Sequence, residues 1–168
     1  LSPSPRLQFQ RFEQSISPGH TSEATFADLD NDQDLDLIVA SYSGASDQVW
    51  LNDGYGRFAP GMKLSDNPST GVRLADLNGD GHLDAFFTSR HVANSIWLGD
   101  GTGNFTRTDQ EPGQGICRDV ALDDFDGDGD IDAVLAFGGA GALQPNRVYF
   151  NDGSGVFQES QQTLGQSA

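Results

Sequence analysis

Three short stretches hold most of the side chains that could do chemistry. Asp28, Asp30, Asp32, Asp34 and Asp36 occupy alternate positions of the first. Asp76, Asn78, Asp80, His82 and Asp84 do the same in the second, and Asp124, Asp126, Asp128, Asp130 and Asp132 in the third. These nine-residue loops contain 13 of the 25 acidic residues. Carboxylates packed so densely repel one another unless a cation neutralises them. As each loop curls, the side chains at positions 1, 3 and 5 can converge on one ion. Position 6 is Gly81 in the second loop and Gly129 in the third, where a sharp turn requires positive φ. Position 7 varies between Asp and His, so its backbone carbonyl is the expected ligand, and the carboxylate at position 9 closes the shell. An all-oxygen donor set favours a hard cation, and calcium takes about six to eight such oxygens. Three loops therefore predict three calcium ions. The first loop has Gln33 at position 6, which predicts a strained turn and weaker binding. An EF-hand is excluded, because it needs Glu at position 12 and flanking helices, whereas Val39, Phe87 and Leu135 stand there.

The elements that must position these loops repeat with them. Asp28, Asp76 and Asp124 are spaced 48 residues apart. Each loop is followed by a second block, VWLNDGYGRF, IWLGDGTGNF or VYFNDGSGVF. Short apolar runs on both sides of each loop read as strands, and the Asp-Gly turns between apolar segments read as hairpins. Four strands are predicted per unit; in the first they are Ala24–Leu29, Leu35–Ala40, Gln48–Asn52 and one starting at Phe58. No sustained helical period is present. Four strands in each 48-residue unit predict an all-β chain of propeller blades. The expected blades cover 20–67, 68–115 and 116–168, with 1–19 as an extra outer strand and linker. Trp50, Trp97 and Tyr149 recur in register and are expected in the blade cores.

The pattern D-x-[DN]-x-D-G-x-x-D runs through Asp76–Asp84 and Asp124–Asp132, and through Asp28–Asp36 except at Gln33. With the trailing N-D-G-x-G-x-F motif of Asn52–Phe58, it resembles the FG-GAP or VCBS repeat family. That family supplies the calcium-loop blades of integrin α-subunit propellers and of many bacterial surface proteins. The resemblance spans roughly residues 20 to 160. It implies a β-propeller, structural calcium and an extracellular setting, secreted or on a cell surface. It names no ligand, because the fold serves adhesion modules, sugar binders and some polysaccharide lyases.

Composition narrows the choice. The net charge of −16 repels nucleic acid and anionic membranes, so neither is an expected partner. No apolar run approaches the ~20 residues that span a bilayer. Cys117 is the sole cysteine, which rules out an internal disulfide. The chain opens on Leu1 instead of Met, so a processed product or a piece of a longer protein is expected.

In a propeller the acidic loops and the Asp-Gly hairpins share one face, and the variable connections lie on the other. Recognition usually resides on variable loops of a repeated scaffold. Tyr42, Arg90, His91, His20 and Arg118 are the candidates there, with rings that could stack on a sugar and guanidinium groups that could hold a carboxylate. Arg73 takes the place of Thr25 and Ala121 on the innermost strand. It could hold an anion in a central channel or neutralise neighbouring Asp. No catalytic constellation is evident. The expectation is a non-catalytic recognition or adhesion module for glycan or protein; the alternative is a domain of a calcium-assisted polysaccharide lyase. Three blades leave two apolar faces open, whereas rings take about four to eight blades. Arg6–Gln14 reads as a spare outer strand. A homodimer closing a six-bladed ring is therefore expected, with the spare strands clasping the partner's edge.

Overall fold

The computed structural model describes residues 14–16, 19–43, 45–138 and 144–164. Most of the expected spare strand Arg6–Gln14 lies outside the described residues; Gln14 lies within them. The described residues form twelve strands and no helix. β1 (His20–Ala27), β2 (Asp36–Ser43), β3 (Gln48–Asn52) and β4 (Phe58–Lys63) make the first sheet, in that order. β5 (Gly71–Ala75), β6 (Asp84–Thr88), β7 (Ser95–Gly99) and β8 (Phe105–Arg107) make the second. β9 (Cys117–Asp123), β10 (Asp132–Phe137), β11 (Asn146–Asn151) and β12 (Phe157–Leu164) make the third. All pairings are antiparallel. The molecule is thus three propeller-like blades, and the sheets do not close into a ring. β1 lies beside β5 and β5 beside β9, so the first strand of each blade forms the inner edge.

Burial explains the strand sequences. The second strand of each blade carries a near-continuous apolar run, because both of its sides are covered: Ile38, Ala40, Ala85, Phe86, Ala133 and Leu135 are fully buried. One core fills the space between blades 1 and 2 around Ile38, Val49, Val72, Phe87, Trp97 and Phe105. The other fills the space between blades 2 and 3 around Phe86, Ile96, Val120, Leu135, Tyr149 and Phe157. There the Phe86 and Phe157 rings meet edge to face, with centroids 6.0 Å apart. Trp97 and Tyr149 are buried as expected, but Trp50 is only half-buried. The reason is positional, since blade 1 has no described blade in front of it. The same difference separates Phe26 and Leu35, each 58% exposed, from their equivalents Leu74 and Leu83, which pack on the first core. Leu122 and Ile131 pack likewise on the second.

At the far end of each blade an amide or carboxyl side chain pins the turn into the third strand. The Asn94 side-chain oxygen accepts the Ser89 N–H at 2.8 Å, and that of Asn146 accepts the Phe137 N–H at 3.0 Å. In blade 1 the residue is Asp47, which is fully buried. It accepts the Ser41 N–H at 2.7 Å and the Ser69 hydroxyl at 2.6 Å. Burial pushes this carboxyl up to about 6, with the Asp66 charge adding and the two hydrogen bonds opposing. In the unfolded chain it titrates near ~3.9. The folded state therefore keeps the proton longer, and stability falls as pH rises from about 4 to about 6, then levels off. Asp47→Asn puts the neighbouring blades' amide at this site and carries no charge to desolvate. The melting-temperature difference, variant minus wild type, is expected to grow across that window when both are followed by circular dichroism. A difference independent of pH would refute the assignment.

Candidate functional site

Each acidic loop joins the first and second strands of a blade, between the register pairs Ala27 and Asp36, Ala75 and Asp84, and Asp123 and Asp132. The carboxylate at position 9 is fully buried in all three loops. One oxygen of Asp36 accepts the Leu29 N–H at 2.9 Å and the other the Asn52 N–H at 2.8 Å. Asp84 joins the N–H groups of Leu77 and Gly99, both at 2.8 Å. Asp132 joins those of Phe125 at 3.0 Å and Asn151 at 2.9 Å. The same side chain thus ties the start of the loop to the third strand. The sequence pattern suggested only an end ligand at this position, and nothing in its spacing announced the staple.

The remaining positions fold the loop on itself. Asp76 accepts the N–H groups of Gly79 at 2.8 Å and Gly81 at 2.9 Å, and Asp124 those of Gly127 at 2.7 Å and Gly129 at 3.1 Å. Position 3 accepts the N–H two residues on, at 3.3 Å in Asp30, 3.0 Å in Asn78 and 3.2 Å in Asp126. Position 5 repeats this in Asp32, Asp80 and Asp128, at 2.9, 2.8 and 3.0 Å. These successive Asx turns require two left-handed residues per loop. Gly79 and Gly81 serve in loop 2 and Gly127 and Gly129 in loop 3, whereas loop 1 forces Asn31 to φ 62° and Gln33 to φ 74°. Position 4, which is Asn31, Gly79 or Gly127, carries the same left-handed signal in the sequence as position 6. The position-7 side chains of Asp34, His82 and Asp130 lie against Gly54, Gly101 and Gly153 of their own blade's hairpin.

Ligand oxygens converge in two loops: those of Asp28, Asp30 and Asp36 lie within 4.8 Å of one another, as do those of Asp124, Asp126 and Asp128. In loop 2 Asn78 takes the place of a carboxylate and donates to Asp80 at 2.9 Å. Burial and the charges of Asp36, Asp32 and Asp28 hold Asp30 above the usual carboxylate range. Lost solvation and neighbouring carboxylates, Asp128 first, do the same to Asp126 and Asp130. Burial also raises Asp84, against the pull of its two amide partners. Asp80 is held below that range, first by the His82 N–H. One oxygen of Asp28 is buried and has no hydrogen-bond partner. A buried, unpaired carboxylate oxygen in a ring of oxygens is a group that a cation could satisfy.

On the opposite end of the blades, the structure brings three of the ligand candidates together. The Tyr42 hydroxyl and His91 Nε2 are 3.1 Å apart, and their ring centroids 6.0 Å. Arg90 stands beside them in the cleft between blades 1 and 2. Arg118 is spent on the Gly138 carbonyl at 2.6 Å. His20 is exposed at the start of β1. Arg73 is not free for a ligand: one nitrogen pairs with Glu23 and another with Asp119 at 2.8 Å, clamping the inner strands of all three blades.

A model of the FG-GAP-like repeat matches residues 28–87 and 76–135, which together span well over half of the chain. The chain belongs to the FG-GAP-like repeat family. No curated protein matches it.

Loop 1 yields a test. A left-handed non-glycine residue costs roughly 1–2 kcal/mol, and glycine's extra unfolded-state freedom returns about half of that. Gln33→Gly is therefore expected to stabilise the chain by about 0.5–1 kcal/mol, raising Tm by a few degrees. A calorimetric scan showing a loss would mean that the Gln33 side chain makes a contact that outweighs the strain.

Proposed function

We propose that the chain is a calcium-stabilised, non-catalytic recognition module that works outside the cell and binds glycan or protein through the face opposite its acidic loops. The buried, partnerless oxygen of Asp28 inside a converging carboxylate cluster carries this reading. The donor set fits calcium. Side-chain oxygens at positions 1, 3, 5 and 9 would hold it, namely Asp28, Asp30, Asp32 and Asp36, then Asp76, Asn78, Asp80 and Asp84, then Asp124, Asp126, Asp128 and Asp132. The backbone carbonyls of Asp34, His82 and Asp130 would complete the shells. A bound cation neutralises carboxylates that now repel one another and fixes the loop against its hairpin.

The loops also join blade to blade. Gly103 N–H donates to the Leu29 carbonyl at 2.8 Å, Asn31 donates to the Gly101 carbonyl at 2.9 Å, and Asn151 donates to the Leu77 carbonyl at 2.7 Å. Ordering a loop therefore orders the seam with the next blade, and calcium would stiffen the whole array. An ion that binds only the folded loops stabilises by about 2.7 kcal/mol per site at a hundredfold excess over Kd. Ten millimolar calcium is expected to raise Tm by at least about 5 °C over the same protein in chelator. Acid that protonates the carboxylates should abolish the difference. Equal melting curves with calcium and with chelator at neutral pH would refute structural calcium.

The exposed Phe26 and Leu35 and the half-buried Trp50 support a second element of the proposal, a homodimer in which blade 1 gains the neighbour it lacks. Gln14 supports it further. Its amide brackets the Phe58 backbone, accepting the N–H at 3.1 Å and donating to the carbonyl. Gln110, which follows the outer strand of blade 2, brackets blade 3 alike, accepting from Phe157 at 2.8 Å and donating to Gly155 at 2.6 Å. Gln14 thus meets blade 1 as Gln110 meets blade 3, and a partner's β12 edge could join there. Light scattering coupled to size exclusion is expected to give twice the 18.0 kDa chain mass. Removing residues 1–16 should shift the protein toward monomer. A clean monomer of the full chain at micromolar concentration would overturn the dimer.

A further inference from the structure

We infer that the cleft between blades 1 and 2, on the side away from the acidic loops, binds an acidic glycan, with Arg90 taking the sugar carboxylate. The inference rests on the recognition reading above and narrows it to one ligand chemistry. Arg90 lines a depression of about 380 Å³ with Ser22, Tyr42 and Thr70. On its other side it lines a second, of about 360 Å³, that runs past His91 to Gln114.

The state of this guanidinium is unusual for so acidic a chain. Arg73, Arg107 and Arg147 are each held by carboxylates, and Arg118 by a carbonyl. Arg90 has no such partner among the described residues, and its Nε is buried without a hydrogen bond. With no protein acceptor, this guanidinium keeps its hydrogen-bonding capacity for an incoming anion. Planar, forked guanidinium groups match carboxylates in geometry as well as charge.

The rest of the cleft selects a sugar over an acidic peptide. The Ser22 hydroxyl donates to the Ser69 carbonyl at 2.9 Å, and the Thr70 hydroxyl reaches the Cys117 carbonyl at 3.2 Å. With their protons spent on the protein, both oxygens offer lone pairs to a ligand, although Thr70 also accepts from the Thr88 hydroxyl at 3.1 Å. Sugar hydroxyls can donate to them, whereas the ionised side chains of an acidic peptide only accept. Tyr42 is 39% exposed and is steadied by His91, so its ring gives an apolar surface for a pyranose face. The repeat itself marks the spot: Tyr42, Arg90 and Gly138 are spaced 48 residues apart, so one register position carries three different chemistries.

The test is isothermal titration of the calcium-loaded full chain, at fixed free calcium, with trigalacturonate, neutral galactotriose of the same linkage, and a hexaglutamate peptide. Trigalacturonate is expected to bind saturably and at least tenfold more tightly than galactotriose. Arg90→Gln should lose at least tenfold for trigalacturonate and leave galactotriose unchanged. Arg90→Lys should fall between, and Arg57→Gln, an exposed cation on the hairpin beside the acidic loops, should match wild type. Melting curves of each variant verify folding, and Tyr42→Ala, which removes the stacking ring and is expected to weaken the acid several-fold, gives a second reading should Arg90→Gln fail to fold. Equal affinity of wild type and Arg90→Gln for trigalacturonate would overturn the inference. So would binding of hexaglutamate alone, which would place a peptide in the cleft. Binding of galactotriose without preference for the acid would end this inference and leave glycan recognition standing. Absence of binding to all three probes would end it as well, with protein recognition then open to its own test by partner capture.

Discussion

A buried carboxylate that faces two backbone amides holds each blade together. Asp36, Asp84 and Asp132 sit at the start of the second strand with no solvent contact, and each spends one oxygen on the acidic loop and the other on the third strand. A charge in such a place is tolerable because its hydrogen bonds are charge-assisted and both oxygens are used. Everything else in the repeat follows from that anchor. The loop must leave β1 and return to the staple in eight residues, so it has to coil tightly. Tight coiling through successive Asx turns demands left-handed residues at positions 4 and 6. It also drives the side chains at positions 1, 3 and 5 into one another's fields, which is where a cation becomes useful.

The anchors therefore link a packing problem to a charge problem. In the absence of a cation the crowded loops favour proton uptake, as the upward displacement of Asp30 and Asp126 indicates. The seams between blades inherit the same sensitivity. Leu29 and Leu77, the second residues of their loops, offer carbonyls to the hairpin of the following blade. The side chain of Leu77 is buried in the second core, so loop geometry and core packing are set by the same few residues.

Much of this was legible in the residues themselves. The third strand of blade 1 was read as Gln48–Asn52 and is Gln48–Asn52, because an aromatic between apolar neighbours and an Asn-Asp-Gly turn leave little choice. The first strand was read as starting at Ala24 and starts at His20. The polar residues His20 to Glu23 carry no apolar alternation, and they are held in the sheet by pairing with β2 through two register shifts. Strand pairing across a bulge leaves no trace in hydropathy. The staple at position 9 was hidden for another reason. An aspartate that could only ligate and one that also binds amides look identical in a sequence, and only the location of Asn52, Gly99 and Asn151 beside it reveals the second role. The fate of Arg73 was equally out of reach, because Glu23 and Asp119 lie 50 and 46 residues away and meet it only across the inner edge.

The two ends of the blades consequently answer to different constraints. At the acidic end, each loop position has a backbone amide, a neighbouring hairpin or a facing carboxylate to satisfy, and the three repeats converge on nearly the same residues. At the other end a single pin, Asp47, Asn94 or Asn146, secures the turn, and the residues around it are released. That freedom is what lets Tyr42, Arg90 and Gly138 differ at one register position while the strands beneath them stay in step. The cost of the arrangement falls on blade 1, where Phe26 and Leu35 keep the apolar character their position requires in a blade stack yet remain open to solvent. A repeat that is apolar on both sides of every blade cannot end without leaving such a surface. Among the described residues, no polar outer face of the kind that usually terminates a repeat array covers Phe26 and Leu35. Blade 1 thus has the composition of an interior blade, and its exposed side chains are suited to the contact that Leu74 and Leu83 make one blade further on.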